Sequence, residues 1–372
     1  MFVAVSLQQT RSDRKYSKGI GVISPTSARP RAVTLGEGLT VLVARPGPLE
    51  DSASFDRTAG GAEANVAAVL AAFDVDTAWL SRVGNDGFGR YLVRHLTRRG
   101  VDVSGVVVDP VRPTAIYVKE RGGGSGATTD LAVGDSRMLY FRTGSAASAL
   151  SPADLTAPSA RWLLDKSTLA HTTGITAALS DSTTRLIDDL VAMPRRGRLV
   201  SFDLNYRPAL WAARSPGASE VLARHIRGSD VVFVGADEAL AVFGTEDPAR
   251  LRALFPEPEH FIVKNDAHSV TGFQRGERVD VPALRLGVVE KIGAGDAFAG
   301  GFLAGLLYGL GHQERIRLGH LCAAAALTGD GDFAELPGRQ RLEELASLDS
   351  AAWAQLDYPR MVHQRANHFP AH

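Results

Sequence analysis

Residues 293–298 are Gly-Ala-Gly-Asp-Ala-Phe, and they lead into a segment, 297–310, that is apolar on nearly every face and rich in Gly and Ala. Such a segment predicts a buried helix. The small residues ahead of it would leave backbone N–H groups open at the positive end of the helix, where an anion can bind. Asp296 would then lie beside a bound phosphate, where it could accept a proton from an attacking hydroxyl. The alternative is that Asp296 only caps the helix.

The segments before this helix alternate between short apolar strands and helices. Helices are predicted at 62–72 and 87–99, where apolar and small residues recur at helical spacing. Strands are predicted at 32–43, with a Gly-marked bend between two strands, and at 77–83, 169–173, 199–203, 231–234 and 261–264. This alternation is typical of an α/β chain with a mostly parallel central sheet.

The middle of the chain breaks the alternation. Residues 101–109, 114–120 and 137–142 are three strand-like segments without a helix between them, and a Gly-rich loop, 121–130, joins two of them. Consecutive strands inside an α/β chain predict a small separate sheet that could act as a lid. We therefore predict a flexible extension at 1–31, one domain at 32–340 with lid strands mainly from about 101–143, and a peripheral tail at 341–372.

Composition excludes several classes of function. The 372 residues carry 41 Lys and Arg against 41 Asp and Glu, so the chain lacks the basic excess of a nucleic-acid binder. No apolar run approaches the roughly 18 residues that a membrane span needs. Cys322 is alone in an apolar segment and is predicted to be a buried structural residue. The ten His residues include no ligand-like pair, so no transition-metal site is expected, and a cytoplasmic location is the default.

Two further motifs contain candidate ligand-binding residues. In Gly60-Gly61-Ala-Glu-Ala-Asn65 the glycines allow a ligand to approach the backbone, and the Asn65 amide suits sugar hydroxyls, although a plain Gly-rich turn is the alternative. Residues 201–208, Ser-Phe-Asp-Leu-Asn-Tyr-Arg-Pro, follow a buried strand, where open α/β sheets bind ligands. Arg207 in this stretch could equally be a solvated surface residue.

Together, the ordered pair of glycine motifs resembles the ribokinase-like, phosphofructokinase-B-type carbohydrate kinases. Residues 81–89, 142–148, 172–175 and 202–211 are similar to the 2-keto-3-deoxygluconate kinase branch of that family. The resemblance covers roughly residues 32–338. It implies a three-layer α/β sandwich with a central, mostly parallel sheet and a small β-sheet lid.

The resemblance also implies roles for individual residues. Asp296 matches the catalytic base, and the amides of Gly293, Ala294 and Gly295 match the anion hole. The substrate-binding residues implied are Gly61, Asn65, Tyr117, Tyr140, Arg142, Arg207 and Asp296. The nucleotide-binding residues implied are Glu238, Lys264, Gly293 and Gly295.

The activity implied is transfer of a phosphate from ATP, with Mg²⁺, to the terminal hydroxyl of 2-keto-3-deoxygluconate. No side chain is expected to ligate the metal directly, Glu238 being a candidate to act through water, and a monovalent cation is a further candidate cofactor. A homodimer or higher homo-oligomer is expected, because the lid would expose a sheet edge. The nearest alternative is a fructokinase- or ribokinase-type kinase for a neutral sugar, and a more remote one is a non-catalytic sugar-binding regulator.

Three segments depart from the pattern of the family. Gly235 stands where an Asn is usual, and Glu290-Lys291 stands where Asp-Thr is usual. In the segment 264–270, Asp266 and Ser269 stand where relatives tend to carry Gly. This last departure bears on ATP binding and on the choice of phosphate donor.

Overall fold

The computed structural model describes residues 31–212, 214, 217–288, 292–329 and 336–358. Residues 1–30 and 359–372 hold most of the predicted N-terminal extension and part of the predicted C-terminal tail, and they lie outside the described residues, as do Glu290 and Lys291. Among the helices that are described, none is both long enough and apolar enough to cross a membrane.

The described strands form a large sheet and a small one. The large sheet has the order β13-β12-β11-β10-β9-β8-β1-β4-β5, and the small sheet has the order β3-β2-β6-β7. The strands are β1 (Arg31–Leu35), β2 (Leu39–Ala44), β3 (Phe55–Gly60), β4 (Asp76–Gly84), β5 (Val106–Asp109), β6 (Ile116–Arg121), β7 (Ser136–Phe141), β8 (Leu169–Thr173), β9 (Leu199–Asp203), β10 (Val231–Gly235), β11 (His260–Asn265), β12 (Ser269–Gln274) and β13 (Glu277–Pro282).

The described helices lie mainly on the two faces of the large sheet. They are α1 (Ala62–Ala72), α2 (Gly87–Arg98), α3 (Pro152–Thr156), α4 (Pro158–Lys166), α5 (Gly174–Ala178), α6 (Asp181–Ala192), α7 (Pro208–Trp211), α8 (Ala218–Arg227), α9 (Ala236–Phe243), α10 (Pro248–Leu254), α11 (Ala294–Leu307), α12 (His312–Thr328), α13 (Arg339–Ala346) and α14 (Ser350–Ala354). Across the large sheet, every pair of neighbouring strands from β5 at one edge through β4, β1, β8, β9 and β10 to β11 is parallel. The remaining pairs, β11–β12 and β12–β13, are antiparallel.

Alternating residues of the central strands supply two separate cores, because successive side chains of a strand point to opposite faces. Phe233 of β10 packs against Phe298 and Phe302 of α11 on one face, together with α1 and α12. Val232 of the same strand joins the other core, which contains α4, α6 and α8. The buried helix predicted at 297–310 is confirmed, and Gly300 is required there because a Cβ would lie 2.6 Å from Val69 of α1.

The small sheet is built differently from its prediction. Its strands β6 and β7 come from the predicted region, but β2 and β3, an antiparallel hairpin at residues 39–60, supply the other half. The first predicted lid strand, residues 101–109, contributes β5 to the edge of the large sheet instead, where it pairs in parallel with β4. The β2–β3 hairpin precedes α1, so the break in α/β alternation begins earlier in the chain than the sequence pattern indicated.

The C-terminal region also differs from the predicted peripheral tail. Leu342 and Leu345 of α13, Trp353 of α14 and the following Tyr358 are buried in the core that contains Cys322. Cys322 itself is a free, buried thiol, as predicted. The predicted α/β architecture, with a mostly parallel central sheet and a small second sheet, is confirmed.

Candidate active site

The candidate site lies where the parallel strands of the large sheet end. β8 ends at Thr173, β9 at Asp203 and β11 at Asn265, while β1 is followed by a Gly-Glu-Gly segment that contains Glu37. The strand order reverses at β1, which pairs with β4 on one side and β8 on the other. In open α/β sheets, ligands bind beyond the carboxyl ends of the strands at such a reversal.

The start of α11 has the properties of an anion site. Gly293 precedes the helix with a left-handed backbone, φ +79°, and no side chain caps the helix start. Gly295 is exposed, and a Cβ built on it would lie 3.6 Å from Nζ of Lys264. Open helix amides with a cation beside them can hold a phosphate group.

Asp296, in the first turn of α11, is held by two amide side chains. Asn65 of α1 donates from Nδ2 to Oδ2 at 2.8 Å, and Asn205, two residues beyond β9, donates from Nδ2 to Oδ1 at 3.3 Å. Burial raises the pKa of Asp296 above its usual value, and the hydrogen bond from Asn65 opposes that rise. Both carboxylate oxygens therefore bind groups on other elements, which is an arrangement for holding a carboxylate in place rather than for capping a helix.

A chain of charged side chains surrounds this carboxylate. Lys264 donates from Nζ to Oδ2 of Asp203 at 2.7 Å, and Arg207 pairs with Glu238 at 3.0 Å between Nη1 and Oε1. Burial acts against the charge of Lys264, but the carboxylates of Asp203 and Glu238 outweigh it and raise the pKa of this lysine. Burial and the charge of Asp203 raise the pKa of Glu238.

The substrate-binding residues predicted in the small sheet form a second cluster. The rings of Tyr117 and Tyr140 lie 5.2 Å apart, and the guanidinium of Arg142 lies over the Tyr140 ring at 4.6 Å. Arg142 also pairs through Nη2 with Oε2 of Glu37 at 2.9 Å. The side chains of this ion pair are only 12% and 1% exposed, respectively. The ion pair connects the end of β7 to the segment that joins the two sheets.

Glu63, in the first turn of α1, connects the two clusters. Its Oε1 accepts hydrogen bonds from the backbone N–H and hydroxyl of Thr173 and from the hydroxyl of Thr176, at 2.7–3.0 Å. The Thr176 hydroxyl in turn accepts from the backbone N–H of Glu37 at 3.3 Å. Complete burial raises the pKa of Glu63 to about 7, although these hydrogen bonds oppose the rise.

The structure places the two predicted glycine motifs together but gives Gly61 a packing role. Gly61 has φ +121°, and a Cβ on it would lie 2.5 Å from the carbonyl oxygen of Glu37. Asn65, predicted to bind sugar hydroxyls, uses its amide nitrogen on Asp296 in this structure. The predicted residues Gly293, Gly295, Asp296, Lys264, Glu238 and Arg207 lie in the cluster around α11, and Tyr117, Tyr140 and Arg142 lie in the small-sheet cluster.

Four residues of the site were not singled out from the sequence. Glu37, Glu63, Asp203 and Asn205 each lie within or beside a quoted motif, yet no role was assigned to them. Their common signal is a polar side chain that is buried in a Gly- or apolar-rich context, with at most 6% of the residue exposed. Such groups need partners, so they indicate a buried polar network.

The departure at Asp266 leaves the local backbone in the conformation that glycine favours. Asp266 lies in the turn between β11 and β12 with φ +38°, and the N–H of His268 closes the turn by donating to the carbonyl of Asn265 at 2.9 Å. Asp and Asn tolerate the left-handed region better than other side-chain residues do. The substitution therefore adds a carboxylate to this turn without requiring a different chain path.

The structure thus combines an α/β fold, a second small sheet and an aspartate beside an open helix start at the carboxyl edge of the large sheet. The family model described as "pfkB family carbohydrate kinase" matches residues 33–337. The chain belongs to this family of carbohydrate kinases, and the family assignment made from the sequence is confirmed.

Three similar proteins show which members of this family the chain resembles. It is 34% identical to a 2-dehydro-3-deoxygluconokinase of Thermoproteus tenax, over 86% of this chain and 95% of that protein. It is 32% identical to a 2-dehydro-3-deoxygluconokinase of Bacillus subtilis, over 90% of this chain and 98% of that protein. The solved structure of a 2-dehydro-3-deoxygluconokinase from Thermotoga maritima aligns with a TM-score of 0.70 at 26% identity, covering 86% of this chain and all of that one.

Proposed function

We propose that this protein phosphorylates the terminal hydroxyl of 2-keto-3-deoxygluconate with ATP. The observation that carries the proposal is the arrangement at α11, where Asp296 is held between two amides beside an uncapped helix start and Lys264. The names of the two relatives at 32–34% identity support the choice of sugar acid. Two arginines, one from each cluster, supply cations for its carboxylate.

In the proposed reaction the terminal hydroxyl of the sugar acid transfers its proton to Asp296. The hydroxyl oxygen forms a bond to the γ-phosphorus while the bond from that phosphorus to the ADP oxygen breaks. The amides of Gly293 to Gly295 and the ammonium of Lys264 stabilise the negative charge on the transferred group. The raised pKa of Asp296 keeps this carboxylate basic enough to accept a proton.

The charged residues fit the binding of a magnesium complex of ATP. Magnesium prefers oxygen ligands and usually retains several waters, and when bound it would neutralise phosphate charge. Within the described part of the chain, no group of three or more His, Cys, Asp or Glu side chains is placed to hold a metal. The Glu238 carboxylate, beside Asp203 and Lys264, would act on the metal through its waters.

A neutral sugar is the second candidate substrate, because both arginines already have carboxylate partners. Arg142 pairs with Glu37 and Arg207 with Glu238. A neutral sugar would leave both ion pairs intact, whereas a sugar acid must draw on their remaining donors. Arg142 has such a donor, since its Nε is buried and makes no hydrogen bond within the described residues. This unsatisfied buried donor favours the sugar acid, because a carboxylate accepts a stronger hydrogen bond from a guanidinium than a sugar hydroxyl does.

An assay of ADP release tests the substrate. Wild-type enzyme should give its highest kcat/KM with 2-keto-3-deoxygluconate and far lower values with fructose and ribose. Arg207→Leu should lower kcat/KM for the sugar acid about 10- to 100-fold, because it removes a cation for the substrate carboxylate. The loss should be no larger than this, since Arg207 is half exposed and shares its charge with Glu238. Its effect on a weakly used neutral sugar should be much smaller.

The matched control is Arg161→Leu, which removes an arginine of similar exposure from its ion pair with Asp165 on α4. This variant should retain wild-type activity on every sugar. Equal losses on acid and neutral sugars in Arg207→Leu would remove the carboxylate role. A wild-type preference for fructose or ribose would transfer the assignment to the neutral-sugar kinase.

The remaining parts of the proposal concern partners and cellular location. We expect a homodimer or higher homo-oligomer in the cytoplasm, and sedimentation of the full chain tests the oligomeric state. A role as a non-catalytic regulator is disfavoured, because a regulator would have no need for a fixed carboxylate at the helix start. A monovalent cation requirement stays a prediction, to be tested by assays with and without potassium.

A further inference from the structure

We propose that Asn205 is a positioning residue for Asp296, which it turns so that Oδ1 is the oxygen that accepts the substrate proton. The inference rests on the proposed function of Asp296 as the base. No role was assigned to Asn205 from the sequence, and its contacts in the structure are the basis for the proposal.

The first observation is the unequal clamp on the carboxylate. Asn65 donates to Oδ2 at 2.8 Å, whereas Asn205 donates to Oδ1 at 3.3 Å. A carboxylate oxygen can accept two hydrogen bonds, and the one with the longer contact is the less fully engaged. Oδ2 is therefore the anchored oxygen, and Oδ1 retains the capacity to accept from a sugar hydroxyl.

The second observation is the backbone of Asn205. It has φ +37°, a left-handed conformation that Asn tolerates better than most residues with a side chain, and the residue is almost fully buried. Asp296 is the only hydrogen-bond acceptor of the Asn205 side-chain amide among the described residues. This left-handed position is thus occupied by a residue that suits it and whose amide reaches Asp296.

The third observation is that Asn205 is itself fixed. Its backbone N–H donates to Oδ1 of Asp203 at 3.3 Å, and Oδ2 of Asp203 accepts from Lys264 at 2.7 Å. The preceding residue is held too, because the N–H of Leu204 donates to the carbonyl of Phe233 at 2.9 Å. One connected set of contacts therefore runs from Lys264, at the phosphate site, through Asp203 and Asn205 to Asp296.

The charges around Asp296 determine how its titration should respond. Burial and the negative charge of Asp203 raise the pKa of Asp296, while the Asn65 hydrogen bond and the positive charges of Lys264 and Arg207 lower it. Glu63 on α1 also interacts electrostatically with Asp296. A donor to the ionised carboxylate stabilises the charged form, so loss of the Asn205 amide should raise the pKa of Asp296.

The central experiment is Asn205→Gly, which removes the amide and is compatible with the left-handed backbone. We expect kcat to fall about 10- to 100-fold, because the base loses its orientation, while KM for the sugar acid changes much less. The acidic limb of the kcat–pH profile should move to higher pH by roughly half a unit to one unit. A residue that served only the fold would give no such movement of the acidic limb, and its loss would instead lower the stability of the protein.

Two further variants make the result decisive. Asn205→Asp keeps the size and the tolerance for positive φ but cannot donate when ionised, so it should lower kcat and move the acidic limb at least as far. Arg196→Gly is the control, because Arg196 is exposed, has φ +46° and lies in the loop between α6 and the start of β9, so it should behave as wild type.

The outcomes separate the inference from the function on which it rests. If Asp296→Asn loses activity while both Asn205 variants keep wild-type kcat and an unmoved acidic limb, the positioning role is wrong and the base remains. If Asp296→Asn retains near-native turnover, the proposed function of Asp296 itself fails. A fall in kcat together with a moved acidic limb in both Asn205 variants supports the inference.

Discussion

The buried ion pair between Arg142 and Glu37 allows stability and substrate binding to be measured separately. Arg142→Met leaves the Glu37 carboxylate, of which 1% is exposed, without its positive partner at 2.9 Å. Breaking a buried pair on one side costs about 3–5 kcal/mol in the free energy of unfolding, because an uncompensated charge remains. Replacing both partners by apolar side chains removes that charge, so Arg142→Met with Glu37→Leu should recover most of the loss. About 1 kcal/mol should persist, since Ser145 loses its acceptor on Glu37.

Urea unfolding of wild type, both single variants and the double variant measures the cycle. The loss in Arg142→Met should shrink as the pH is lowered towards 5. Burial already raises the pKa of Glu37 in the folded state, and removal of Arg142 raises it further. The variant is therefore most stable while Glu37 is protonated, and stability is lost as pH rises from the pKa of Glu37 in the unfolded chain through its pKa in the folded protein. In ADP-release assays the double variant should stay poor with the sugar acid despite its recovered stability. A double variant as unstable as the sum of the singles, or one that regains full kcat/KM for the acid, would refute this account.

Two further predictions concern the small sheet and Glu63. If the small sheet closes over bound sugar acid, amide hydrogen exchange in β6 should slow on adding the acid while exchange in β4 stays unchanged, and unaltered exchange in β6 at saturation would indicate a rigid sheet. Because the folded pKa of Glu63 is raised to about 7 from 4.5, its contribution should weaken wild-type stability by about 3 kcal/mol as pH rises from 4.5 past 7. Glu63→Gln should flatten that pH dependence of the unfolding midpoint, and an unchanged slope would assign it to other groups.

Sequence periodicity predicted the central strands of the large sheet, from β4 to β11, because each carries a run of apolar residues, but it did not predict β12 and β13 at the edge. Residues 231–234, for example, are predicted as a strand and form most of β10, with every side chain buried. The small sheet was predicted less well, since its strands are short and partly exposed and carry weaker patterns. Residues 101–109 and β6 look alike as strands, and only tertiary pairing assigns β5 to the edge of the large sheet.

The residues of the site are likewise of two kinds. Some are contiguous in the sequence and form a local motif, and others are far apart in the sequence and are brought together by folding. Asp296 and the glycines before it are contiguous, so their spacing indicates either an anion site with an adjacent carboxylate or a helix cap. The two amides that hold Asp296 come from positions 231 and 91 residues away, and no local pattern connects them. The sequence nevertheless contains a usable trace: Asn65 and Asn205 are polar residues that must be buried if the segments around them are elements of the core. Buried amides require hydrogen-bond partners, so the burial of Asn65 and Asn205 indicates that each binds a polar group in the core. The predicted catalytic carboxylate of Asp296 is such a group.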